Sequence, residues 1–134
     1  NRKRDIVPTN HKISKLLSNG GCIGLFPEGK VNNGKEIFPF KAPLLEAAIQ
    51  SQSKIIPIVL LYFREDGQLA REALYYGHNL WQTVRNTVKA TRLTVKAIVL
   101  PEVDAGHFKS RQALSEHLHL IMSTVFNERL ENIK

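Results

Sequence analysis

Apolar and polar positions change their period several times along these 134 residues, and each change marks an element. Ile13, Leu16 and Leu17 share one side of a helical turn, and Gly20-Gly21 ends the pattern, since glycine readily takes the left-handed conformation found just past a helix. A short helix is predicted after Pro8. The run Cys22-Ile23-Gly24-Leu25-Phe26 is apolar throughout, as a strand buried on both faces would be, and Pro27-Glu28-Gly29 closes it. Cys22 accordingly reads as a core residue and not as a nucleophile. Asn32-Asn33-Gly34 signals a turn. Pro43 suits a helix N-terminus, and Leu44, Leu45, Ala48 and Ile49 give that helix its apolar stripe.

The longest apolar run is Ile55 to Phe63, which reads as a second buried strand. Its Pro57 has no N–H to give to a ladder and so belongs near the strand's start. The run is about half of the ~18 residues that a membrane-crossing helix needs. Arg64-Glu65-Asp66-Gly67 is a turn. Leu80, Trp81, Val84 and Val88 repeat at helical spacing beneath Arg85 and Lys89, a pattern that fits a core helix or one lying in a membrane interface. Leu93 to Leu100 is a third strand, polar-alternating first and apolar later. Ser110 caps a final helix whose apolar positions Ala113/Leu114, Leu118, Ile121/Met122 and Val125/Phe126 recur every turn. Helices alternating with strands predict an α/β fold with a mostly parallel sheet flanked by helices, within one domain over residues 1–134.

Composition narrows the class. Hydrophobic residues at 43% and charged residues at 23% are ordinary globular values and exclude a disordered tail or a fibrous repeat. Nineteen Lys and Arg against 12 Asp and Glu leave a formal charge of +7, which favours anionic partners: phosphates, an acidic lipid surface or nucleic acid. A lone cysteine cannot form an internal disulfide, and no signal peptide is recognisable, so a reducing compartment is expected. His78, His107, His117 and His119 show no spacing with Cys or carboxylates that would make a metal site, and no cofactor is expected. The abrupt opening Asn1-Arg2-Lys3-Arg4 reads as the start of a piece of a longer protein.

The stretch Gly20-Gly21, Leu25-Phe26-Pro27-Glu28-Gly29, Phe38-x-Phe40-Lys41, then Ile56-Pro57-Ile58-Val59, resembles the third and fourth sequence blocks of the glycerolipid acyltransferases of the 1-acylglycerol-3-phosphate acyltransferase (PlsC) type. Asn1-Arg2 resembles the end of that family's second block. Tyr75-Tyr76-Gly77-His78-x-Leu80-Trp81 is similar to the later part of bacterial members. The resemblance covers nearly the whole chain and implies the C-terminal part of one such domain, lacking its N-terminal part.

It further implies transfer of a fatty acyl group from acyl-CoA or acyl carrier protein, as co-substrate, to a lysophospholipid such as 1-acylglycerol-3-phosphate. Phospholipid biosynthesis at the cytoplasmic face of an anionic membrane surface is the implied setting. The family's catalytic pair is His-x-x-x-x-Asp, in which imidazole takes the hydroxyl proton and the carboxylate orients the ring. Five residues after His11 stands Leu16, and no other histidine here has an aspartate at that spacing. No catalytic residue is assigned, and the 134 residues alone are expected to be inactive.

The resemblance places Arg2, Phe26, Pro27, Glu28, Gly29, Lys30 and Lys41 at the acceptor site, with Arg2 as a forked phosphate donor. Two departures bear on specificity: Lys30 and Val31 stand where the family more often has Thr and Arg, and Ala42-Pro43 replaces the commoner Lys-Gly. An acceptor such as a lyso-ornithine lipid stays open. Set against the enzyme reading is a noncatalytic basic α/β domain that binds nucleic acid; basic residues interleaved with exposed aromatics on a strand face, which it would need, are absent, and nucleic acid is not the expected partner.

Overall fold

In a computed structural model of the chain, residues 2–30, 34–70 and 92–131 are described, residues 2–8 by their backbone alone. The expected turn at Asn32-Asn33 and the expected Trp81 helix lie outside these residues.

Helix α1 spans Arg2–Ser18. It begins well ahead of Pro8, so the proline sits inside the helix, where its missing N–H removes one backbone bond. Gly20, at φ +79°, receives the chain as it leaves the helix, as the glycine pair predicts. Buried Asn10 donates from Nδ2 to the Pro43 carbonyl at 3.0 Å and ties α1 to the next helical segment. That segment is a 3₁₀ turn, Ala42–Leu45, with proline in its first positions, continuing as α2, Glu46–Gln50.

Four short strands follow: β1, Lys54–Ile55; β2, Ile58–Phe63; β3, Thr94–Val99; and β4, Val103–Asp104. Pro57 interrupts the long apolar run and stands just before β2, where its carbonyl accepts from the Leu100 amide at 3.0 Å. The pairing does not confirm the expected mostly parallel sheet. Among the described residues there are two two-stranded sheets, β1 with β4 and β2 with β3, and both are antiparallel. Helix–strand alternation implies parallel neighbours only when each crossover returns the chain to the same edge in the same direction. Here β3 returns against β2.

Cys22 to Phe26 is corrected. It joins no ladder; Cys22, Ile23, Leu25 and Phe26 are exposed, and Cys22 is not a core residue. A strand is stable only when neighbouring backbone satisfies its N–H and C=O groups, and the described strands pair with one another instead.

The last helix, α3, spans Arg111–Glu131, and the Ser110 hydroxyl accepts the Ala113 amide at 3.1 Å, which confirms the cap. This helix organises the core. Leu114 and Leu118 pack with Phe40, Leu45 and Ala105, while Phe126 packs with Val59, Leu61, Phe63 and Leu100. Ile121 and Met122 touch both groups. A two-stranded sheet is marginal by itself, and α3 supplies the apolar cover for the inner face of β2–β3.

Candidate functional site

The Pro-Glu-Gly segment forms a tight turn. The Gly29 amide donates to the Phe26 carbonyl at 3.1 Å, and Gly29 takes φ +62°, a conformation that costs a side-chain-bearing residue but not glycine. A Cβ there would also sit 2.5 Å from Lys41 Nζ. The turn is held against residues 38–41 by three hydrogen bonds. The Lys41 amide donates to the Pro27 carbonyl at 2.8 Å, the Phe38 amide donates to Glu28 Oε2 at 2.8 Å, and Lys41 Nζ donates to the Gly29 carbonyl at 3.1 Å. Lys30 Nζ lies 3.9 Å from the centre of the Phe38 ring, within cation–π range.

Five of the sequence-predicted residues are thus brought together: Pro27, Glu28, Gly29, Lys30 and Lys41. Phe26 adjoins them but is 80% exposed and packs into no core. Arg2 lies in the first turn of α1, and its side chain is outside the described residues. His11 is exposed and has no aspartate at the catalytic spacing.

Helix α3 supports this turn from behind. Buried Ser115 donates from Oγ to the Phe40 carbonyl at 3.2 Å, and His119 Nε2 bonds the Ile37 carbonyl at 3.0 Å. A carbonyl can only accept, so that nitrogen carries the proton. The His119 ring also meets Phe40 edge-on at 5.4 Å. The sequence alone assigns neither residue a place at this turn, with His119 weighed only as a metal ligand. The available signal was two polar residues one turn apart, each beside an apolar member of the stripe, Leu114 and Leu118.

Chemically, the turn and the segment facing it carry the ammonium groups of Lys30 and Lys41 together with a half-buried carboxylate, Glu28, that accepts the Phe38 amide. Such an arrangement can bind a phosphate and a hydroxyl. Among the described residues no cluster of His, Cys, Asp and Glu could hold a metal ion, and no helix is long and apolar enough to cross a membrane.

Residues 1–61 match the family Acyltransferase. Over 118 residues the chain is 30% identical to a 1-acyl-sn-glycerol-3-phosphate acyltransferase of Neisseria gonorrhoeae, covering 88% of this chain and 46% of that protein. The protein of the same name from Neisseria meningitidis serogroup B is 29% identical over the same length and coverage. That of Borreliella burgdorferi is 26% identical over 131 residues, 98% of this chain and 45% of that protein. No solved structure matches.

Residues 1–61 thus resemble an acyltransferase domain. The similarity to these proteins supports a partial domain of the 1-acylglycerol-3-phosphate acyltransferase (PlsC) type, as the motifs imply. The chain spans about half the length of the curated relatives it matches.

Proposed function

We propose that residues 1–134 are the C-terminal, acceptor-binding part of one PlsC-type domain, and that the complete protein acylates a lysophospholipid. The observation that carries this reading is the turn itself: Glu28, Gly29, Lys30 and Lys41 converge at the place where the family match and the block resemblance coincide. The curated relatives are named for acyl transfer to 1-acylglycerol-3-phosphate, which supports that compound as acceptor.

In this reading Lys30 and Lys41 neutralise the acceptor's phosphate, with Arg2 as a further cation. Glu28 fixes Phe38 and positions the glycerol, while Pro27 and Gly29 keep the turn tight enough for backbone to approach the substrate. Phe26, exposed beside the turn, meets the acceptor's apolar part. The reacting hydroxyl gives its proton to an imidazole paired with a carboxylate, its oxygen attacks the thioester carbonyl, and the thiolate leaves. Since no His-x-x-x-x-Asp pair occurs in these 134 residues, they do not turn over alone. The donor is an acyl thioester of coenzyme A or of acyl carrier protein, the pathway is phospholipid synthesis, and the enzyme works peripherally on the cytoplasmic face of an anionic membrane.

The test is acyl transfer from labelled acyl-CoA and from acyl carrier protein to a panel of lysolipids that includes 1-acylglycerol-3-phosphate and a lyso-ornithine lipid. The complete protein is expected to acylate at least the former, with residues 1–134 silent. A complete protein inactive on every lysolipid with both donors refutes the reading.

A further inference from the structure

Glu28, Lys30 and Lys41 are all held through one short segment of chain, residues 37–41. The Phe38 amide binds Glu28, the Phe38 ring faces the Lys30 ammonium at 3.9 Å, and Lys41 bonds the turn through both its amide and its side chain. This segment joins no ladder among the described residues. Its Phe38 and Lys41 amides are turned toward the Pro-Glu-Gly turn, while its Ile37 and Phe40 carbonyls are turned toward α3.

On α3 those two carbonyls meet Ser115 and His119, at 3.2 Å and 3.0 Å. The longer contact of His119 Nε2, 3.4 Å to Ser123 Oγ, stays within the helix. Leu114 and Leu118, each one residue ahead, pack with Phe40 in the core and so fix the rotation of α3 against the segment. A helix packed here for its core alone would place apolar side chains at both inward positions. Two donors stand there instead. An extended backbone without a neighbouring strand must find other partners for its carbonyls, and a helix takes the place of that strand.

We propose that Ser115 and His119 are positioning residues of the acceptor site: they set the place of residues 37–41 and, through them, of Glu28 and the Lys30 and Lys41 ammonium groups. The proposal rests on the acyl-transfer reading above and extends its site to two residues of α3 that lie outside the matched residues 1–61. Each acts one residue away from its target. His119 holds Ile37 beside Phe38, and Ser115 holds Phe40 beside Lys41. With either bond gone, turn and segment remain joined to each other, but their shared position on the core is free to shift. Contacts to the acceptor's phosphate are made in the ground state and the transition state alike, so their misplacement raises KM and spares kcat.

The experiment uses the complete protein and its Ser115→Ala, His119→Leu, His119→Gln and Ser110→Ala variants. It measures kcat and KM for 1-acylglycerol-3-phosphate, KM for the thioester donor, and hydrogen exchange at the Phe38 and Lys41 amides, with Tm as the check of the fold. Ser115→Ala and His119→Leu are each expected to raise the acceptor KM about fivefold, to leave kcat and the donor KM unchanged, and to speed exchange at both amides. In His119→Gln the side-chain amide can still donate to the Ile37 carbonyl, so KM should return close to the parent's. Ser110→Ala loses only the helix cap; it should lower Tm and leave the acceptor KM where it was, as a purely structural role would. An acceptor KM or an amide exchange unchanged in folded Ser115→Ala and His119→Leu overturns the proposal, as does a His119→Gln protein as impaired as His119→Leu. Should His119→Leu fail to fold, Ser115→Ala, which removes a single oxygen, carries the test. Faster amide exchange in a complete protein that acylates no lysolipid would uphold the positioning role and refute the acyl-transfer reading instead.

Discussion

Glu28 separates a structural role from a chemical one, because two substitutions remove different properties. Its Oε2 accepts the Phe38 amide at 2.8 Å in a half-buried setting, a charge-assisted bond of the kind worth about 1.5–3 kcal/mol. In Glu28→Gln the amide oxygen can still accept that N–H, leaving a neutral bond of about 0.5–1.5 kcal/mol, so the expected loss of stability is about 1 kcal/mol. In Glu28→Ala the donor loses this partner, and the expected cost rises to about 2 kcal/mol, with residues 38–41 loosened from the turn. Urea unfolding reads both values.

Activity should order the variants differently. If the carboxylate itself holds the acceptor, Glu28→Gln removes a charged contact worth about 2 kcal/mol, which lowers kcat/KM roughly 30-fold in a protein that remains folded. If Glu28 only straps Phe38, Glu28→Gln should act nearly as the parent does and only Glu28→Ala should fall. A Glu28→Gln protein with full kcat/KM for 1-acylglycerol-3-phosphate refutes the assignment of Glu28 to the acceptor.

Other positions give independent checks. Gly29→Ala places a Cβ against Lys41 Nζ at φ +62°; we expect a loss of about 1–2 kcal/mol and a raised KM for the acceptor, and no change in either would show that the turn is not held by Gly29. Leu114→Ala, at a side chain with 0% exposure, should cost about 3 kcal/mol in urea unfolding, and a loss under about 1 kcal/mol would mean that the core collapses around the gap. Ser110→Ala removes the cap of α3 and should cost about 1 kcal/mol by the same measurement. The hydrogen bond to Glu102, with that carboxylate's charge, raises the Lys54 amine above its ordinary 10.5. This contribution is present below the unfolded value and is lost as pH rises through the folded one. Lys54→Met should therefore flatten the alkaline fall of Tm above about pH 10.5, and an unchanged slope would dismiss the pair.

Among the described residues, local signals in the sequence carried several helix and turn assignments, although α1 begins ahead of Pro8. Pro43 opens its helical segment, Ser110 caps α3, Pro57 precedes β2, and the glycines at 20 and 29 take positive φ, because each of these choices is settled by a residue's own backbone or side-chain chemistry. The turn around Glu28 was legible for the same reason. Ser115 and His119 were not, since their hydrogen bonds to Phe40 and Ile37 cross 75 and 82 residues of chain. Strand direction was not legible either: antiparallel β2–β3 and a parallel pair leave the same alternation of helices and strands in the sequence.

The apolar run Cys22 to Phe26 and the β2–β3 pair share one physical cause for their departure from expectation. Strands that read as continuously apolar are suited to cover on both faces. In β2–β3 the inner residues Val59, Leu61 and Phe63 have that cover from α3, whereas Ile58, Leu60, Val95 and Val99 on the outer face remain exposed, as do Ile23, Leu25 and Phe26. The hydrophobic pattern thus records more burial than these residues give one another. The curated relatives, of which this chain spans 46% at best, have the additional residues to supply a second layer. A neighbouring strand, not only cover for that outer face, is the condition under which Cys22 to Phe26 would find a ladder and the Pro-Glu-Gly turn would sit, as the resemblance implies, at the end of a strand.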